Sequence, residues 1–429
     1  MENIGIHILT AYPSSNPNRD DNGSPKSAVV GGVTRQRISS QCIKRAWRLS
    51  AFMAGFDKST RTRKIGDVFK QILTDRDISE EKAVRWALLV ANVFGSAKEN
   101  KPKTAAIEVL KENDVEDKDA NSWATEIANA YKAVGGKKGK NTEEVSMETK
   151  VGAVKNVLVN HDIREELAAS MAAKIIVLVS SLQTKETVVL GHEEIHAVER
   201  LAEKLASEDR GPTSGELEDL KKPTASVDVA LFGRMRAGSE DLKVDASVYV
   251  SHPLTTGKST VENDFWTAVD DRKGADSDAG SAGMGDVEFG AGTFYTYIQV
   301  NHDGLAKNLR LDGKSEHESR ELSNQVILKL IEAVSQVTPS AHKTTFGNQV
   351  RASYVRVEVG APSGNLFCKA YEIPTSVTHE AIKRLQVAAA EEASAYGLEQ
   401  RVFEFRPPQS LAEMLSGVSD ALKSPVAEG

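Results

Sequence analysis

Gly31-Gly32-Val33-Thr34-Arg35-Gln36-Arg37-Ile38-Ser39-Ser40-Gln41, running on through Cys42-Ile43-Lys44-Arg45-Ala46-Trp47-Arg48, is the stretch on which the reading of this chain turns. Paired glycines supply a backbone hinge, because a residue without a side chain tolerates positive φ at little cost. Ser39 or Ser40 then suits a helix N-cap, its hydroxyl accepting from a backbone N–H one turn later. Beyond the cap, Gln41, Lys44 and Arg48 fall at i, i+3 and i+7 on one helix face, and Ile43, Ala46, Trp47 and Phe52 suit the buried side. A polar, cationic face beside helix N-terminal N–H groups is a phosphate-binding arrangement, although such faces are more often merely solvated.

The charge around this stretch departs from that of the whole chain. Over residues 1–50, Arg19, Lys26, Arg35, Arg37, Lys44, Arg45 and Arg48 face only Glu2, Asp20 and Asp21, whereas the formal net charge of the chain is −7. That average argues against indiscriminate coating of nucleic acid, while the local excess points to a focused anion contact. With 429 residues the chain has room for two or three lobes, at about 150 residues per domain. No apolar run approaches the ~18 residues of a membrane span, and the N-terminus lacks the basic and apolar regions of a secretory signal. Cys42 and Cys368 are the only cysteines, too few for a disulfide framework or a four-thiolate zinc site. A cytoplasmic location, with no cofactor, no metal and no membrane contact, is the expectation.

From the start of the chain, Ile4, Ile6 and Ile8 alternate with Gly5, His7 and Leu9, which predicts a half-buried strand over Asn3–Thr10. The acids of Asn18-Arg19-Asp20-Asp21 sit among turn formers and suit turn capping better than a metal or general-base role. From about Asp57 to Ala225 the pattern is helical. Glu80–Phe94 carries Val84, Leu88 and Ala91 on one stripe widened by Leu89 and Val93, Ser122–Val134 behaves similarly, and Ile163–Leu182 is apolar nearly all round and so expected buried. After Pro223, strands are expected at Ser226–Phe232, Gly292–Val300 and Tyr354–Val359, with an amphipathic helix over Glu321–Val337. Without its insertions the order is βαββαβ, an α+β, ferredoxin-like layout of the RNA-recognition-motif kind. The Gly292–Val300 strand lacks the basic-plus-aromatic signature of a sheet that binds RNA on its face, which favours loops and one helix as the contact surface.

The second insertion, about Thr255–Phe289, reads as a long hairpin. Phe265 and Trp266 lie on one limb and Met284, Val287 and Phe289 on the returning one. Such side chains suit wedging between stacked bases, and equally suit anchoring a loop to the body. A different chemistry is raised by His192-Glu193-Glu194-Ile195-His196, the H-E-x-x-H spacing of zinc peptidases. The extended form of that motif needs His and Gly where this chain has Ala202 and Glu199; Glu216 and Glu218 stand at a plausible distance for a third ligand. A zinc-dependent hydrolase using His192, Glu193 and His196 is therefore one alternative. A repeat-processing ribonuclease, for which His7 and His252 are the candidate acid–base groups, is another.

Four blocks occur in order: Asn18-Arg19-Asp20-Asp21; Gly31-Gly32 through Arg37-Ile38-Ser39-Ser40-Gln41 to Lys44-Arg45; Gly233-Arg234-Met235; and Thr267-Ala268-Val269-Asp270-Asp271. In this combination, over about residues 3 to 360, the chain resembles the CasC-type backbone subunit of the type I-E CRISPR surveillance complex, Cascade. The resemblance implies a hand. The palm is RNA-recognition-like, formed by residues 1–58, 226–254 and 290–375; helical fingers span 59–225, a β-hairpin thumb spans 255–289, and a C-terminal helix and tail span 376–429. It implies further copies of the chain lined head to tail on a guide RNA, other Cascade subunits as partners, and each thumb kinking RNA held by its neighbour. Bases between kinks are then presented to target DNA. By the same resemblance Arg19, Lys26, Ser39, Gln41, Lys44 and Arg48 hold the RNA backbone, Met235 packs near the displaced nucleotide, and Phe265, Trp266, Thr267 and Met284 form the wedge. The chain is then a binding scaffold and not an enzyme. The finger stretch Gly135–Pro223, with the His192–His196 helix, is longer than the resemblance implies, and its basic residues Lys137, Lys138, Lys140, Lys221 and Lys222 are candidate guides for duplex DNA.

Overall fold

A computed structural model describes residues 3–95, 97–99, 101–134, 147–179, 182–222, 224–234, 243–268 and 283–424. Among these, one compact unit takes the residues up to Ser59 and from Thr224 onward, and a second takes those from Thr60 to Lys222.

In the first unit β1 (Asn3–Ser15) is followed by β2 (Ser27–Val30), β3 (Val33–Gln36) and α1 (Ser40–Arg48). After the second unit come α2 (Val227–Phe232), β4 (Val248–Val250), β5 (Leu254–Thr255), β6 (Glu262–Ala268) and β7 (Gly283–Asn301). The chain then continues through α3 (His302–Leu309), α4 (Glu316–Gln336), β8 (Tyr354–Gly360), α5 (Thr378–Tyr396), β9 (Gln400–Phe405) and α6 (Leu411–Lys423). β1 lies between β7 and β8, β4 and β5 pair with the other edge of β7, β9 extends the β8 edge, and every pairing is antiparallel. Strands β1, β4, β7 and β8 with their helical connections make the ferredoxin-like α+β sheet expected of the βαββαβ order.

Several sequence-based expectations need correction. Ser226–Phe232 supplies no strand: Val227–Phe232 is the helix α2, and β4 takes the second strand's place. Residues Val227 to Leu231 are all buried, so their apolar pattern carries no usable period, and Asp228 suits a first helical turn. β8 is not the last strand, because β9 pairs with it from Val355↔Phe405 to Gly360↔Gln400. Nor is β1 half-buried. Ile8 shares a face with Ile43 and Trp47 of α1 and Val334 of α4, while Leu9 packs with Tyr295, Tyr354, Phe367 and Tyr371 beneath Ile382 and Leu385 of α5. Helices thus cover both faces of the sheet, and the covered second face holds His7 fully buried, its Nδ1 2.9 Å from the Tyr295 hydroxyl and its Nε2 3.4 Å from Glu358.

The second unit is mainly helical. One core joins helices Ile65–Thr74, Glu80–Phe94 and His192–Glu208; another joins Pro102–Glu112, Asp117–Val134, Met147–Asn160 and Glu165–Val179. In Glu80–Phe94 the expected Ala91 and Val93 are buried and Val84 and Leu88 pack half-buried against the same core, with Ala83, Trp86, Ala87, Val90 and Phe94 completing the stripe; Leu89 alone of the expected residues faces solvent. Glu165–Val179 is amphipathic, not buried all round: Ala168, Met171, Ala172, Ile175 and Ile176 face the core while Leu167 and Lys174 are exposed. No helix among the described residues is long and apolar enough to cross a membrane.

Candidate functional site

The double glycine forms a hairpin tip. Val30 pairs with Val33 across Gly31 and Gly32, whose φ values are +62° and +73°, the left-handed conformation that a two-residue turn of the primed type requires. The turn leads β3 into the sheet, where Arg35 is used structurally. Its guanidinium is buried, donates to the carbonyls of Thr255, Thr256 and Tyr371 at 2.7–2.9 Å and lies 5.0 Å from the Phe367 ring centre.

β3 hands on to α1 through a network that fixes its cationic neighbours. The Arg37 N–H donates to the Lys26 carbonyl at 2.7 Å, the Lys26 N–H to Asn18 at 2.9 Å, and the Ile38 N–H to Pro253 at 3.0 Å. Ser39 is the N-cap, its Oγ accepting from the Cys42 N–H. Its own N–H donates to Asn18 Oδ1, and the Ser40 N–H to His252 Nδ1, at 2.8 and 2.9 Å. The N-terminal amides of Ser39, Ser40 and Cys42 are therefore already satisfied within the protein. What faces outward is side-chain charge. Lys26 and Arg37 are half-exposed, Arg45 is exposed, and none of the three has a carboxylate partner among the described residues.

Two titrating groups register this concentration. Burial raises the Cys42 thiol while Lys26 and Arg45 pull it back. Burial and then Arg37, with Lys44 and Lys26 adding to them, lower His252. His252 accepts from the Ser40 N–H at Nδ1, and a backbone bond to Ile38 works against this lowering.

The residues carried over from the resemblance separate into groups. Arg19, Lys26, Ser39, Gln41 and Lys44 lie on or beside α1 and the loop before β2; Arg19 and Gln41 are exposed, and the Lys44 amine sits 5.9 Å from the Phe232 ring centre. Arg48 does not belong to the exposed face. Its Nη1 bonds Asp228 Oδ2 and the Ser59 carbonyl, both at 3.0 Å, because the helix turns its last residue inward against α2. Asp20 caps its own turn, Oδ1 accepting from the N–H groups of Asn22 and Ser24. Arg37, Arg45, Asn18 and His252 join the cluster although the sequence-based set omits them. Arg37 and Arg45 were visible as surplus local charge, but His252 is brought in by a contact across 212 residues and leaves no local signal.

The hairpin β6–β7 carries the second group. Trp266 lies opposite Gly285, Thr267 opposite Met284 and Phe265 opposite Asp286. Alternation therefore puts Phe265, Thr267 and Met284 on one face and Trp266 on the other. Phe265 and Met284 are each 65% exposed. Trp266 covers Gly285 so closely that a Cβ there would lie 2.8 Å from its ring. Glu262, Asp264, Asp286 and Glu288 make the stem acidic, with no cation among its described residues, and by register Asp286 and Glu288 share the face of Phe265 and Met284. Asn16 ties its base to the α1 side, donating to the carbonyls of Glu288 and Gly23 at 2.9 Å. Met235, residues 269–282 and Lys137, Lys138 and Lys140 lie outside the described residues.

The alternative chemistries find their residues otherwise engaged. His192 and His196 share a helix face with their Nε2 atoms 2.9 Å apart, but among the described residues no group of three or more His, Cys, Asp or Glu is placed to hold a metal. Glu194 caps its own helix through the Gly191 N–H, and Glu193 lies 3.8 Å from Arg200. His7 is sealed in the core of the sheet, and His252 is used at Nδ1. Lys221 and Lys222 pair with Glu218 and Asp219.

The sequence matches the family described as CT1975-like protein over residues 4–156 and 137–418. The chain belongs to the CT1975-like protein family. The family match extends past residue 360, so α5, β9 and most of α6 are family structure and not an appended tail. No curated protein matches the sequence. Among solved structures, a chain of a "CRISPR RNA-guided surveillance complex, pre-nicking" is similar with a TM-score of 0.64 and 24% identity, over 98% of this chain and 99% of that one. A chain of another "CRISPR RNA-guided surveillance complex" is similar with a TM-score of 0.56 and 20% identity, over 98% and 100%. This CT1975-like chain therefore shares its fold with chains of those complexes along nearly their full length.

Proposed function

We propose that this CT1975-like chain is a non-enzymatic scaffold of a CRISPR RNA-guided surveillance complex, of the CasC type in a type I-E Cascade. It grips the guide-RNA backbone and assembles as successive copies along it with other subunits of the complex. The observation that carries the reading is the cluster of Lys26, Arg37 and Arg45 around α1, held by backbone bonds and lacking carboxylate partners among the described residues. Charge and hydroxyl contacts to phosphate and sugar position a strand without reading its sequence, as a guide holder requires. The exposed Phe265 and Met284 suit the kink, because apolar side chains stabilise unstacked bases while the acids beside them cannot grip phosphate. Bases between kinks are left for pairing with target DNA. The test is expression of the chain alone and analysis of bound nucleic acid. Wild type retains small RNA of mixed sequence, and a K26Q/R37Q/R45Q variant of unchanged fold loses it.

A further inference from the structure

At the opposite edge of the sheet lies a second cationic site that the resemblance does not assign. A cavity of about 450 Å³ is lined by Arg351, Ala352 and Ser353 before β8, Thr378, His379 and Ile382 of α5, and Arg406 and Pro407 after β9. Arg406 Nη2 donates to His379 Nδ1 at 3.1 Å, which fixes the imidazole tautomer and directs its Nε2–H outward. Neither Arg351 nor Arg406 has a carboxylate partner among the described residues. The adjacent carboxylates are already engaged, Glu380 with Arg384 at 2.8 Å and Glu404 with Tyr354 and Arg356 at 2.6 and 2.9 Å. Two unpaired guanidinium forks and an imidazole N–H opening on one cavity form a donor set suited to a phosphate group.

Register connects this cavity to the first cluster. Arg37 bridges Leu254, Leu254 pairs with Tyr295, Tyr295 with Leu9 and Leu9 with Tyr354, and the pairing of Val355 with Phe405 brings Arg406 to the end of the same row. Five strand spacings of ~4.8 Å separate the two sites by roughly 24 Å, which is about seven nucleotides of a stacked strand at ~3.4 Å each. Between them rises β7, whose distal half is a limb of the hairpin, and the Thr293 hydroxyl of β7 meets that of Thr378 at 2.7 Å.

We infer that Arg351, Arg406 and His379 bind a phosphodiester of the RNA strand held at α1, on the far side of the hairpin. This rests on the proposed function. Its ligand is a phosphate of a polynucleotide, in preference to a protein carboxylate, because the register sets the two cationic sites about seven nucleotides apart, with a limb of the hairpin between them and no carboxylate partner for either among the described residues.

The test is the salt dependence of binding of a 20-nucleotide RNA by the full chain, with R351Q/R406Q and K26Q/R37Q/R45Q compared with wild type and thermal unfolding as the control for folding. We expect R351Q/R406Q to weaken binding about tenfold at low salt and to reduce the slope of log K against log salt by about 1.4, for two lost contacts. R351K/R406K, which keeps the charges, should restore most of the slope. Unchanged affinity and slope in R351Q/R406Q, while K26Q/R37Q/R45Q fails to bind, overturns this inference and leaves the proposed function standing. The same result with loss of partner subunits from the assembled complex overturns it in favour of a protein carboxylate. A wild-type chain with no affinity for RNA removes both.

Discussion

Arg48 Nη1 lies 3.0 Å from Asp228 Oδ2, and with side chains 11% and 4% exposed the pair joins the end of α1 to the first turn of α2. Asp228 also accepts from the N–H and hydroxyl of Ser59 and the hydroxyl of Ser226. Burial pushes its carboxyl up, but these bonds and Arg48 outweigh burial and hold it below the usual range. Removing one partner leaves the other charge buried and uncompensated, so Asp228→Ala should cost about 3–5 kcal/mol in chemical denaturation. Arg48→Ala should lose a similar amount, and the folded fraction of each should bind RNA as wild type does. A variant that stays stable but loses RNA would return Arg48 to the binding face.

The α1 cluster makes an electrostatic prediction. Replacing Lys26, Arg37 and Arg45 by Gln should lower the salt slope of RNA binding by about 2 for three contacts to a single strand. Affinity should fall equally for unrelated sequences, measured by fluorescence polarisation with two RNAs of different composition.

The hairpin prediction separates its two faces. In particles assembled on a guide carrying a fluorescent base analogue at intervals, Phe265→Ala with Met284→Ala should abolish the unstacking signal. Trp266→Ala should leave most of it, because that ring lies on the other face over Gly285. The reverse ranking would assign the wedge to Trp266.

The sheet face beneath α5 makes a pH prediction. Burial raises Glu358, but His7 and Arg356 outweigh it and bring its pKa from 4.5 down to about 2. A carboxyl more acidic in the folded state contributes stability that is complete above its unfolded pKa and lost as pH falls through the folded one. Glu358→Gln should therefore cost on the order of 3 kcal/mol near pH 7, with the difference from wild type shrinking as pH falls from about 4.5 toward 2. Urea titrations across that window check it.

Local patterns account for much of this fold. The cap at Ser39, the glycine turn, the helix Glu80–Phe94 and the strand beginning at Tyr354 each depend on neighbours within a few residues, so spacing reveals them. Val227–Phe232 misled because a segment buried all round has no polar face to set a period, and only its contact with Ser59 and Arg48 shows why Asp228 is tolerated there. For the same reason Arg48 read as a surface cation: its partner lies 180 residues away. Lys26 and Arg37 could be counted as surplus charge, but their meeting depends on the β2–β3 hairpin folding back, and the Arg351–Arg406 cavity depends on three distant segments.

The central claim is that an RNA strand lies along the basic cluster at α1. Photocrosslinking of complexes assembled on a 4-thiouridine guide, followed by mass spectrometry of the adducts, tests it most directly. The account predicts adducts on peptides spanning Lys26 to Arg45 and on the hairpin strand that holds Phe265. Adducts found elsewhere, with the Lys26–Arg45 segment unmodified, would contradict it.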